Sequence, residues 1–174
     1  MRRSVEESFD DFAVFAIPRL RKVAHAWSRD RHRAEDAVQG TLERVFAAWP
    51  RVRRGEAYGY ARTTLVRLLI SEERRAWRRH EVTSDDPGQH ERLGPDHPTA
   101  DQRDDGAALL AVLAELPPRQ RAVVVLRYLE GLTVTETAQT LRCSEGTVKS
   151  QAHDARRVLR ERLTSTPDVE GAPR

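Results

Sequence analysis

The sequence predicts an all-α protein: two small helical domains joined by an acidic flexible linker. Three observations carry that expectation. Ala, Leu, Arg and Glu dominate, and aromatic residues are only 6% of the 174 residues, a composition that favours helix over strand. Apolar residues recur every three to four positions in several separate stretches. The formal charge of +3 is unevenly spread: residues 1–83 hold 18 Lys and Arg against 12 Asp and Glu, residues 84–106 hold 2 against 7, and residues 107–174 hold 10 against 8. A basic body, an acidic spacer and a mildly basic body read as two folded units around a linker.

The first domain, residues 1–83, holds three helices. Residues 5–28 place Phe9, Phe12, Val14, Phe15, Leu20, Val23, Ala24 and Trp27 at helical spacing, and Pro18 is expected to kink that helix or start its second half. Ser28-Arg29-Asp30 breaks it. Residues 32–49 set Ala34, Val38, Leu42, Val45, Phe46 and Trp49 on one stripe and end at Pro50. PRVRRGE is a basic loop. Residues 57–79 form the third helix, with Tyr60, Thr64, Leu65, Leu68, Leu69 and Ala76 facing inward and a cationic end, RRAWRRH.

From residue 84 to 106 no period is visible, and prolines and acids mark the linker. The second domain, 107–164, opens with Leu109, Leu110, Val112, Leu113 and Leu116, stopped by Pro117-Pro118. RQRAVVVLRYLEG makes the next helix, with Gly131 past its end. Thr133-Val134-Thr135-Glu136 has the spacing of a capping box, in which hydroxyl and carboxylate satisfy each other's free backbone amides. The corner Arg142-Cys143-Ser144 follows, and Ser144 caps a last helix. Residues 165–174 are expected to be a disordered tail.

Cys143 is the only cysteine, so no intramolecular disulfide can form. No apolar run approaches the ~20 residues of a membrane span. The start MRRSVEESFDDF lacks the apolar stretch of a signal peptide, so the expected location is the cytoplasm. The six histidines are scattered, and neither a phosphate-binding glycine loop nor a nucleophile elbow is present. No catalytic or metal-ligating constellation emerges, and no cofactor is implied.

Three stretches carry the functional reading. Two short capped helices joined by a tight corner are a helix-turn-helix pattern. Ala138 is small where the helices must approach, and Val148, Ala152, Ala155 and Leu159 face inward. Thr147, Lys149, Ser150, His153, Asp154 and Arg156 lie outward, where a helix in the major groove presents its readers. The alternative is a helical pair with no ligand. RRAWRRH interleaves arginines with Trp77, as phosphate binding and base stacking require, or else is a solvated cationic face. AEDAVQGTLERVF carries Glu35, Asp36, Gln39 and Glu43 as a polar strip, either solvated or a protein-docking face.

Taken in order, these stretches resemble an extracytoplasmic-function sigma factor of bacterial RNA polymerase. AEDAVQGTLERVF is similar to that family's AEDLVQETFLRVW helix. LPPRQRAVVVLRYLEGLTVTETAQTL and CSEGTVKS are similar to its C-terminal domain. RTTLVRLLISEERRAWRR resembles the actinobacterial subgroup called SigE-like. The resemblance implies a non-enzymatic sigma factor, with domain 2 at 1–83 and domain 4 at 107–164. It implies docking to core RNA polymerase, at the beta-prime clamp and the beta flap, with Glu35, Asp36, Gln39 and Glu43 on the clamp. Arg53, Arg54, Tyr60, Arg67, Arg74, Arg75, Trp77 and Arg78 would bind the unpaired −10 strand. Thr147, Lys149, Ser150, His153, Asp154 and Arg156 would bind the duplex −35 element. An anti-sigma protein is a partner the family allows.

The sequence also departs from the family. Arg142 stands at a corner where glycine is usual, Gln151-Ala152-His153-Asp154 replaces a common RLSR, and Arg67 lies near a common asparagine. Two other readings remain: a free-standing helix-turn-helix regulator acting on duplex operators without polymerase, and a small helical enzyme.

Overall fold

The first helix, α1 (Arg2–Trp27), runs through Pro18 as a single helix, so Pro18 does not start a second one. Pro18 lies on the exposed side, where a carbonyl left without its amide donor costs least. The structure, a computed structural model, describes the backbone of residues 2–28, 30–83 and 104–164, and side chains within 6–28, 30–75 and 108–163. The segment 84–103 and the tail 165–174 lie outside the described residues. The chain divides into two compact units, Met1–His97 and Pro98–Arg174. Among the described residues all regular structure is helical.

In the first unit, α1 buries Ala16, Leu20, Val23, Ala24 and Trp27. Val14 and Phe15, expected on that face, stay outside at 77% and 49% exposure. At about 100° per residue, Val14 sits roughly 200° from Ala16, nearly opposite the buried stripe. Helix α2 (Arg31–Ala48) starts on Asp30, whose carboxylate accepts from the His32 and Arg33 amides at 2.9 and 3.1 Å. Its inner face is Ala34, Ala37, Val38, Thr41 and Val45, and the buried Thr41 hydroxyl donates to the Ala37 carbonyl at 2.7 Å. Phe46, expected in this stripe, is 46% exposed and rests edge-on against Phe9 at 4.9 Å.

Helix α3 (Ala57–Thr83) extends four residues beyond the expected end and buries Ala57, Ala61, Leu65, Val66 and Leu69. Tyr60, expected inside, is exposed, Thr64 and Leu68 are half-buried, and the Ala76 side chain is outside the described residues. Each fully buried Leu contributes roughly 2 kcal/mol by transfer from water. Polar ties fix the register. The buried Trp27 indole donates to Glu73 Oε1 at 2.9 Å, joining α1 to α3, and Trp49 donates to Ser8 Oγ at 2.9 Å. Phe9 and Phe12 pack on Trp49 at 5.2 and 4.9 Å between centroids.

In the second unit, α4 (Asp104–Glu115) begins three residues inside the stretch read as linker. Acidic residues suit a helix's first turn, so the acidic run ends within the helix and not before it. Helix α5 (Pro118–Val124) passes into a π turn, Val125–Leu129, where one continuous α-helix was expected. The Glu130 amide donates to the Val125 carbonyl at 3.0 Å, and Gly131 follows in the left-handed region at φ 68°. Helix α6 (Val134–Leu141) carries the capping box in full: the Glu136 amide donates to Thr133 Oγ1 at 3.2 Å and the Thr133 amide to Glu136 Oε2 at 2.7 Å. Helix α7 (Glu145–Thr164) ends the described chain.

Val123, Ala138, Val148 and Ala152 form one apolar cluster, with Cys143 half-buried at its edge. Leu113, Leu116, Val124 and Ala155 form another. Arg121 is buried between α4 and α5 and donates to the Ala114 and Leu116 carbonyls at 2.6 and 2.9 Å. It closes the C-terminal end of α4, where a cation is favoured.

Arg142 is left-handed at φ 52° and ψ 54°. Relief of about 1–2 kcal/mol there, partly offset by glycine's larger unfolded-state entropy, makes Arg142→Gly stabilising by roughly 0.5–1 kcal/mol. Urea unfolding followed by circular dichroism measures the gain.

Candidate nucleic-acid interface

The corner between α6 and α7 is set by backbone geometry. The Cys143 amide donates to the Ala138 carbonyl at 3.0 Å while Arg142 reverses the chain. Ser144 Oγ then accepts from the Thr147 amide at 3.1 Å and lies 2.9 Å from the Thr147 hydroxyl, opening α7. Val148, Ala152 and Ala155 anchor α7 on the core, which turns its other face outward. Lys149, Ser150, His153 and Arg156 are exposed there, while Thr147 and Asp154 are half-buried.

The six expected −35 residues thus share one helix. From Thr147 to Arg156 they span ten residues, nine steps or about 13.5 Å along the axis, comparable to the width of a major groove of roughly 12 Å. The Arg156 guanidinium stands 5.9 Å from the ring centroid of Tyr128, which the π turn leaves 55% exposed. Glu145, the first residue of α7, accepts from the Thr135 hydroxyl of α6 at 2.7 Å. Tyr128, Thr135 and Glu145 were not singled out in the sequence. The ten-residue separation of Thr135 and Glu145 has no periodic meaning until the corner folds.

In the first unit the expected −10 residues occupy the α2–α3 connection and α3. Trp49–Arg51 and Arg54–Glu56 are short 3-10 turns around Val52 and Arg53. Ala48, Arg51, Val52, Arg53, Glu56 and Tyr60 line one open concavity. Arg53 faces Glu56 across 3.8 Å, a pair too exposed to hold either side chain firmly. Arg54 is exposed. Tyr60, Arg67 and Arg74 follow at seven-residue intervals, so they fall along one side of α3 over about 21 Å. Arg67 is half-buried; Arg74 and Arg75 are exposed, and Arg75 donates to Ser71 Oγ at 3.1 Å. Trp77 and Arg78 continue this helix, but their side chains lie outside the described residues.

The carboxylate strip divides. Asp36, Gln39 and Glu43 are exposed on α2, at spacings that keep them on adjoining turns. Glu35 turns toward α1 instead: Arg21 Nε donates to its Oε2 at 2.9 Å, and His25 Nε2 lies 3.7 Å from Oε1. On another side of the unit, Arg19 stacks over Phe15 at 4.0 Å, and Tyr58 meets the same Phe15 ring at 6.0 Å, tying α1 to α3. Among the described residues, no group of His, Cys, Asp and Glu is placed to hold a metal ion, and no helix is long and apolar enough to cross a membrane.

Comparison with known proteins places both units. Residues 16–79 match the sigma-70 region 2 family, and residues 106–159 match sigma-70, region 4. The chain is 36% identical over 135 residues to the RNA polymerase sigma-E factor of Streptomyces coelicolor, covering 76% of this chain and 72% of that protein. It is 34% identical over 161 residues to the ECF RNA polymerase sigma factor SigE of Mycolicibacterium smegmatis; the match spans 90% of this chain and 62% of that relative. Among solved structures, the sigma factor RpoE of Bartonella quintana, crystallised with the anti-sigma factor NepR, is similar at a TM-score of 0.74 and 26% identity, over 91% of this chain and 98% of that one. A region 2 body whose α2 carries the carboxylate strip, followed by a region 4 body whose α6 and α7 form a capped helix-turn-helix, makes this chain a member of the extracytoplasmic-function family of RNA polymerase sigma factors.

Proposed function

We propose that this chain binds core RNA polymerase and directs promoter-specific initiation, the first unit engaging the unpaired −10 strand and the second the duplex −35 element. The observation that carries this reading is the presence, in one chain and in that order, of both sigma-70 regions, each with its own polar or cationic face. Asp36, Gln39 and Glu43 supply the contact to a basic polymerase surface at the beta-prime clamp, with Glu35 bracing α2 behind them. Domain 4 lies against the beta flap. Arg53, Arg54, Tyr60, Arg67, Arg74, Arg75, Trp77 and Arg78 track the separated strand, its phosphates held by guanidinium groups and its bases stacked on the aromatic rings. Thr147, Lys149, Ser150, His153, Asp154 and Arg156 face the −35 groove, with the α7 amides on a phosphate.

No chemistry is assigned to the chain itself: the polymerase supplies catalysis, in the cytoplasm, and the chain supplies address and strand capture. Each unit alone binds weakly, and coupling through polymerase raises the effective concentration of the second contact. An anti-sigma protein, such as the one seen with the Bartonella factor, is the partner proposed to hold the chain inactive.

The test separates this reading from a free-standing regulator. Purified chain should co-elute with core polymerase, and the holoenzyme should make the −10 region permanganate-reactive. Specific binding to a symmetric duplex by the chain alone, without association with core, would establish the regulator instead.

A further inference from the structure

We propose that Glu145, held in place by Thr135, reads the amino group of a cytosine in the −35 duplex. The inference rests on the promoter-reading function above and names a base contact within it. Glu145 is the first residue of α7 and is exposed. The N-terminal residues of a recognition helix are those that meet base edges in the major groove. Its Oε1 already accepts from the Thr135 hydroxyl at 2.7 Å, and Thr135 belongs to the first turn of α6. The pair therefore bridges the two helices at the end that enters the groove, and it fixes a side chain that would otherwise sample many rotamers. Oε2 has no partner among the described residues.

A carboxylate at neutral pH only accepts hydrogen bonds. In the major groove, guanine offers acceptors at N7 and O6, and thymine offers O4 beside a methyl group, so both repel it or leave it unpaired. Adenine offers its N6 amino group next to the N7 acceptor, which opposes the second carboxylate oxygen. Cytosine offers the N4 amino group beside C5–H, with no acceptor on its own ring edge, so it is the base of choice. Asp154 lies nine residues further along α7, about 13.5 Å up the axis and half a turn round the helix, and is half-buried. Glu145 is the better-placed reader of the two. Ser144 already caps α7, and attraction to the helix dipole needs no bond to Thr135, so helix stability alone does not account for the pair.

The test is a binding selection with reconstituted holoenzyme, core polymerase plus the full chain, on promoters with a fixed −10 region and a randomised −35 region. The wild type should enrich cytosine at one position. Glu145→Ala should lower that preference roughly tenfold, with the other positions unchanged. Glu145→Gln should move the same position toward adenine, because an amide pairs with N6 and N7 together. Thr135→Val should weaken the cytosine preference at that position, as expected of a positioning residue, while circular dichroism confirms that each variant is folded. The inference is overturned if Glu145→Ala leaves every base preference intact, or changes affinity equally for all sequences. A holoenzyme that selects no promoter at all would instead overturn the sigma-factor reading on which the contact depends.

Discussion

Asp36→Arg is expected to cut association of the chain with core polymerase at least tenfold while leaving its helical content unchanged. Asp36 is exposed on α2, so its replacement disturbs no packing. A cation in its place meets the basic surface that the carboxylate strip is proposed to contact, and a like-charge juxtaposition in an interface costs several kcal/mol. Glu35 gives the contrast. Its carboxylate is engaged by Arg21 and lies near His25 within the unit, so Glu35→Ala should chiefly loosen the α1–α2 contact, by less than about 1 kcal/mol for so exposed a pair. Competition of each variant with labelled wild type for core polymerase measures both effects. Equal loss from the two substitutions would show that binding follows the integrity of α2 and not the charge at position 36.

Arg121→Leu is expected to destabilise the second unit by roughly 3 kcal/mol, because it leaves the Ala114 and Leu116 carbonyls without the charged donor that now satisfies them. The tryptophans make this measurable in the full chain. All three, Trp27, Trp49 and Trp77, precede residue 84, so their fluorescence reports the first unit alone. Circular dichroism reports both. Arg121→Leu should shift part of the dichroism transition to lower urea and leave the fluorescence transition in place. Coincident shifts of both probes would mean that the two units unfold together.

What was legible in the sequence was local. The capping box at Thr133 and Glu136 and the Ser144 cap need only residues three positions apart, and both form as the spacing predicts. Arg142 is left-handed at the corner where the family usually has glycine, the residue that takes this backbone most easily. Sigma-70 regions 2 and 4 were recognisable because quoted stretches of each stand in the family's order.

What was missed depends on neighbours distant in sequence. Val14 and Phe46 are apolar and roughly periodic, yet a three-helix unit has too little interior to enclose every apolar residue of its helices, and both remain exposed. The burial of Arg121 depends on the end of α4, whose carbonyls it binds, and nothing in its own stretch of sequence marks it. Glu35 could not be told from Asp36 without knowing that Arg21 and His25 of α1 stand on its side of α2. Thr135 and Glu145 gained meaning only when the corner brought the starts of α6 and α7 together.

The most direct measurement of the central claim is in vitro transcription with core polymerase on fragmented genomic DNA, followed by sequencing of transcript 5′ ends. The account predicts that adding the chain creates new starts at a fixed distance downstream of two spaced motifs, one near −10 and one near −35, and that Asp36→Arg removes them. Starts identical to those of core polymerase alone would contradict it.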